Sequence, residues 1–119
     1  MRLLLENLPA SLEPQRETLS RCLEAMDRAL PLRRVILFGS HAHGDARADS
    51  DLDLCDVADG AERQMEAASR WRVAMRHVWP RPPFTLIPIA PQRLEEKLAR
   101  SDHFFKTLLN EGVLIAAED

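Results

Sequence analysis

Two carboxylates, Asp51 and Asp53, stand one residue apart in the run Ser50-Asp-Leu-Asp-Leu54. Residues i and i+2 of a strand point to the same face. The two acids would then project together, and like charges that close call for a cation or a shared proton. Hard cations such as Mg²⁺ prefer carboxylate oxygens and usually bridge to substrate phosphates. Eleven residues before Asp51 comes Ser40, preceded by Gly39 and the apolar run Val35-Ile-Leu-Phe38. Gly39 lets the backbone approach a phosphate with no Cβ in the way. Ser40 offers a hydroxyl and a backbone N–H at the start of a helical turn, where it can serve an anion, cap the helix, or both. Gly44 supplies an unusual backbone angle in the loop, and Arg47 adds a cation there. The pattern is what metal-dependent nucleotide chemistry requires. It is not a Walker P-loop, because Gly-x4-Gly-Lys-Ser/Thr is absent.

The elements that must hold these residues follow from periodicity. Leu12, Leu19, Cys22, Leu23, Met26 and Leu30 recur near helical spacing, which predicts a helix over 12–30. Pro14 is tolerated only near its first turn. Val35 to Phe38 reads as a buried strand, and Leu52, Leu54 and Val57 lie in a second, closed by Asp59-Gly60. A helix is expected over 61–78, with Ala61, Met65, Ala68, Trp71, Met75 and Val78 on its inner face. Pro80-Arg-Pro-Pro83 is a stiff connector. Phe84 to Ile89 is a third strand, which Pro88 places near an edge. Short helices are expected over 92–100 and 102–111, the second with Phe104, Phe105, Leu108 and Leu109 inward. Asp102 or Ser101 can cap it and Gly112 stop it. Val113 to Ala116 adds a last strand. Helices alternating with strands give an α/β or α+β class.

At 119 residues the chain is read as a single domain, 1–119, with a core over 33–115. No apolar run is long enough for a membrane span and no signal peptide is visible. Cys22 and Cys55 show no disulfide spacing, which fits a reducing cytoplasm. The formal charge of −3 argues against a dedicated nucleic-acid binder but leaves room for a nucleotide held by a metal.

The run from Val35 to Leu54 resembles the nucleotidyltransferase superfamily, marked by Gly-Ser, a spacer and Asp-x-Asp. Gly39, Ser40, Ala42, Gly44, Ser50, Asp51, Asp53 and Leu54 fall in register with it. The short chain looks most like the minimal nucleotidyltransferases, often antitoxins beside a small helical HEPN-type protein. The resemblance implies a small mixed sheet, its first two strands antiparallel across the 39–50 loop, with helices packed on one side. It implies Asp51 and Asp53 as catalytic ligands of Mg²⁺ or Mn²⁺. Gly39 and Ser40, with help from Arg47, would hold the triphosphate of ATP or another nucleoside triphosphate. The implied reaction moves AMP onto a hydroxyl of the partner. Oligomerisation is left open, and apolar residues near Trp79 and Phe84 are available for a partner contact.

Two positions depart from the family pattern. His41 and His43 stand where arginine is frequent, which implies weaker or pH-sensitive triphosphate binding. Thr85 stands where a third carboxylate is expected, and a neutral hydroxyl is a poor metal ligand and no base near pH 7. Asp56 should face away from Asp51 and Asp53. Two readings therefore stand side by side: an active transferase, or a pseudo-enzyme that neutralises its partner by binding alone. A third is a zinc site built from His41, His43, Asp53 and Cys55.

Overall fold

Val35, Ile36 and Leu37 are apolar in succession, and a strand sends such neighbours to opposite faces, so both faces of the sheet they build must be covered. The computed structural model describes residues 1–47 and 49–119, and its elements follow that demand. In chain order they are β1 (Arg2–Leu3), α1 (Arg16–Ala29), β2 (Arg34–Phe38), α2 (Ser40–His43), β3 (Leu52–Val57), α3 (Gln64–Ala74), β4 (Phe84–Ile89), α4 (Pro91–Ala99), α5 (His103–Glu111) and β5 (Val113–Ala117). The five strands form one mixed sheet in the order β1-β5-β2-β3-β4. β2 and β3 pair antiparallel across the Gly-Ser loop as expected, and β3 and β4 pair parallel. β4 lies at the sheet edge, where Pro88 is tolerated because it has no N–H to give to a further strand.

One face of the sheet carries Val35, Leu37, Leu52, Leu54 and Leu86 against Leu19, Leu23 and Met26 of α1 and Trp71 of α3. Trp71 is fully buried, and its indole N–H donates to the Leu30 carbonyl at 3.0 Å. The expectation of helices on one side is corrected here. α4 and α5 cover the other face, where Ile36, Cys55, Val57 and Ile89 meet Leu94, Phe105 and Leu108. The reason lies in the strands themselves, which are apolar on both faces and need a second layer.

Three boundaries also differ. α1 begins at Arg16, because residues 10–15 wind as a 3₁₀-helix around Pro14, whose missing N–H cannot join an α-helical ladder. α3 is shorter than 61–78, and Ala67 rather than Met65 joins the inner stripe with Trp71 and Met75. Met65 is 89% exposed because it lies two residues from Ala67, on the far side of the helix. The brief apolar start of the chain supplies β1, paired antiparallel to β5. Among the described residues no helix is long and apolar enough to cross a membrane.

Asp56 sits on the α1/α3 face between Val35 and Pro88, fully buried, and among the described residues neither carboxyl oxygen has a hydrogen-bond partner. Burial pushes this carboxyl well above the usual carboxylate range, and the charge of Arg72 offsets only part of that. A carboxyl held this way binds its proton more tightly in the folded chain. Stability therefore falls as pH rises from the unfolded value of about 4 toward the raised folded one. Asp56→Asn removes this titration. Urea unfolding at pH 5 and pH 7.5 should show the variant gaining on the parent as the pH rises. A gap that does not change with pH would mean the carboxyl is not held neutral by the fold.

Candidate active site

The register of the sheet brings three side chains into one row. Phe38 on β2 pairs with Asp53 on β3, and Asp53 pairs with Thr85 on β4. Paired residues point to the same face, so all three stand on the α4/α5 side. That layer covers the neighbouring row of Ile36, Cys55 and Ile87 but leaves Asp53 and Thr85 only half-buried. Asp51, just before β3, reaches the same end of the sheet, where the Thr85 hydroxyl donates to its Oδ2 at 3.0 Å.

The turn after β2 brings in the glycine. Gly39 has φ of +76°, a conformation open to glycine and costly for other residues. A Cβ there would collide with Asp53 Oδ2 and lie 3.1 Å from its Cγ. The Asp53 carboxylate thus lies in the space that a side chain at residue 39 would fill. In the short helix that follows, the amides of Ala42 and His43 bond to the Gly39 carbonyl at 3.1 and 3.2 Å. Those of Ser40 and His41, at the opening of the turn, have no acceptor within it. The structure brings Gly39, Ser40, Asp51 and Asp53 to one end of the sheet.

The other residues singled out by sequence are placed differently. His41 is turned inward and its Nε2 meets the Ser50 carbonyl at 2.9 Å. A carbonyl only accepts, so that nitrogen carries the proton. His41 therefore ties the end of the loop, just before Asp51, back to α2. Arg47 is exposed, and its backbone amide donates to Ser50 Oγ at 3.0 Å. His43 is exposed, its Nε2 3.9 Å from Glu111 Oε2. The zinc reading fails: among the described residues no three of His, Cys, Asp and Glu come together to hold a metal. Cys55 does share the face of Asp53, but it is fully buried one row deeper, and burial pushes its thiol up to about 12.

Burial also raises the Asp53 carboxyl above the usual carboxylate range. A hydrogen bond from the Thr85 hydroxyl would pull it down, the Asp51 charge pushes it up, and His41 offsets part of the rise. One hydroxyl proton serves one acceptor at a time, and the distance assigns it to Asp51. Two neighbouring carboxylates, one of them partly desolvated, form a donor set suited to a divalent cation with phosphate oxygens completing its shell. The residues present fit such an ion. They do not include a third carboxylate, since Thr85 occupies that place in the row.

A feature that periodicity did not reveal lies beside Gly39. Phe104 was expected to face inward with Phe105, yet it is 48% exposed. Successive helical residues are about 100° apart, so the two rings cannot share one face. Phe104 instead leans over Phe38, ring centroids 5.9 Å apart and planes at 87°, and bounds a recess of about 320 Å³. The adjacency of two phenylalanines at the start of a helix was the available signal.

Gly39→Ala tests the packing of the carboxylate against the turn. The substitution should lower stability by about 1 kcal/mol or more, through the left-handed backbone alone, and displace Asp53. Mn²⁺ binding followed by electron paramagnetic resonance should weaken at least about tenfold, the equivalent of one lost charge-assisted contact. Unchanged Mn²⁺ affinity in a folded variant would show that Asp53 and Gly39 are not linked in this way.

The fold is similar to that of a candidate nucleotidyltransferase from Sulfolobus solfataricus, solved by crystallography at 1.40 Å, with a TM-score of 0.48 and 21% identity over 82% of this chain and 76% of that one. No curated protein matches the sequence. The nucleotidyltransferase domain matches residues 19–111, a span that runs from α1 to the end of α5 and includes the Gly-Ser turn and both carboxylates. On that match, the chain belongs to the nucleotidyltransferase domain family.

Proposed function

We propose that this protein is a metal-dependent nucleotidyltransferase of the minimal type, moving AMP from ATP to a hydroxyl of a partner protein. The observation that carries this reading is the close approach of Asp53 to Gly39, which joins a carboxylate pair to the opening of the Ser40–His43 turn. Asp51 and Asp53 would hold a divalent cation, Mg²⁺ or Mn²⁺, which supplies charge neutralisation for the phosphate oxygens. Ser40, through its hydroxyl and amide, and the Gly39 backbone would receive the triphosphate tail, with Arg47, exposed on the same loop, as a further cation for it. Catalysis here is mostly positioning. The acceptor oxygen bonds to the α-phosphorus as the bond to the bridging oxygen breaks, and pyrophosphate leaves from the Gly39 side. The acceptor's proton must pass to water or buffer, because Thr85 cannot take it.

The partner we infer is a small all-helical HEPN-type protein, silenced by the modification, which makes this chain an antitoxin. Trp79 supports a partner contact: it is 75% exposed and Arg81 lies 5.9 Å over its ring, a pair of residue types enriched where proteins bind. Phe84, by contrast, is buried and belongs to the core.

A second reading is favoured by one observation. Thr85 stands in register with Asp53 and spends its hydroxyl on Asp51, so the place of a general base is filled by a group that cannot act as one. The protein would then neutralise its partner by binding alone.

Transfer of label from α-³²P-ATP to the partner, with Mg²⁺ or Mn²⁺, separates the two. Label is expected on the partner and should be lost in Asp51→Ala/Asp53→Ala. Thr85→Asp should raise the rate about 10²-fold, the usual return of a positioned base. Absence of label with both the parent and Thr85→Asp, while the partner remains bound and inhibited, would decide for binding alone.

A further inference from the structure

The recess beside Gly39 has two aromatic walls and a polar edge. Phe38 and Phe104 form the walls, while His43, His103, Thr107 and Glu111 bring polar groups to its rim. Phe104 is 48% exposed on the opening side, although the interior behind it, at Phe105 and Leu108, is closed. A flat ring with apolar faces and a hydrogen-bonding rim fits this chemistry, and base-on-aromatic contact is a general way to hold a nucleobase.

Position in the sheet says which part of the reaction the recess serves. Gly39 follows β2 and Thr85 lies on β4, with the two carboxylates between them at the end of β3. An in-line displacement puts the leaving oxygens and the acceptor at opposite ends of one axis. With the leaving phosphates at Gly39, the acceptor comes from the Thr85 side. The recess shares Gly39 with the phosphate turn and lies away from Thr85. Its occupant is therefore carried by the triphosphate and not by the acceptor.

We propose that the Phe38–Phe104 recess binds the nucleobase of the triphosphate and that Glu111 selects bases bearing an exocyclic amine. This rests on the nucleotidyl-transfer reading above. A carboxylate accepts hydrogen bonds and donates none. Adenine, cytosine and guanine each present an amine to it. Uracil flanks its one N–H with two carbonyl oxygens, which the carboxylate repels. Glu111 lines the recess together with His43, whose Nε2 is 3.9 Å from its Oε2.

Binding of ATP, UTP and inorganic triphosphate, measured by calorimetry in the presence of Mn²⁺, tests this without any turnover. The parent should bind ATP at least about tenfold more tightly than inorganic triphosphate, within the range of one stacked base. Phe104→Ala should weaken ATP by about 5- to 100-fold and leave inorganic triphosphate unchanged. Glu111→Gln, a change at an exposed position that keeps the shape, should narrow the preference for ATP over UTP and serves also if Phe104→Ala does not fold. Equal affinity for ATP and inorganic triphosphate, unaltered by either variant, overturns the base site while leaving the phosphate and metal reading standing. Variants that lose partner binding but keep ATP binding would assign the recess to the acceptor protein and overturn the proposal. If neither ATP nor inorganic triphosphate binds the parent, the transferase reading falls and this inference falls with it.

Discussion

A single missing side chain connects the two halves of the site. Because residue 39 is glycine, the Asp53 carboxylate can lie directly against the turn that ends β2. Any Cβ there would push the carboxylate off the strand end or force the turn open. The positive φ of Gly39 adds a second, independent restriction to the same residue. Backbone conformation, sheet register and the charge pair thus all converge on one position. The partial burial that raises the Asp53 carboxyl follows from this close packing, and so does the readiness of the pair for a cation.

Much of this arrangement could be read from residue order. The period-two placement of Asp51 and Asp53 and the apolar run before Gly39 mark the two strands, the resemblance to the nucleotidyltransferases implies that they pair antiparallel, and the structure has that pair. Asp56 was expected on the opposite face by the same alternation, and it lies buried there. The Asp102 cap on α5 was also legible, its Oδ1 accepting from the Phe105 amide at 3.1 Å. What periodicity left ambiguous were neighbours competing for one face. Met65 and Ala67, or Phe104 and Phe105, are apolar pairs whose assignment depends on which layer of the sheet the helix meets. The second helical layer has a related cause: β2 and β3 are apolar on both faces, a demand that the periodicity of each helix taken alone does not register.

The histidines show how a residue type can mislead when only its position is known. His41 and His43 occupy places where a cation for phosphate was expected. One instead donates to the Ser50 carbonyl from a buried position, and the other lies 3.9 Å from Glu111 at the recess. Their spacing in a one-turn helix sends them to different surroundings, the first inward and the second toward solvent. An imidazole can be buried with one hydrogen bond where a guanidinium would demand several. At residue 41 the structure uses that difference to anchor the loop that delivers Asp51.

The parallel pairing of β3 with β4 sets the site's parts at very different distances along the chain. Gly39, Ser40, Asp51 and Asp53 come from one hairpin, whereas Thr85 is 34 residues from Asp51 and arrives only after the α3 crossover. Closing the longer loop carries the larger entropy cost, and strand pairs joined by a crossover form later than hairpins. The Gly39 turn and the carboxylate pair thus come from one hairpin, and the third position of the row from a separate stretch of chain, so a substitution at Thr85 leaves the hairpin's own pairing untouched.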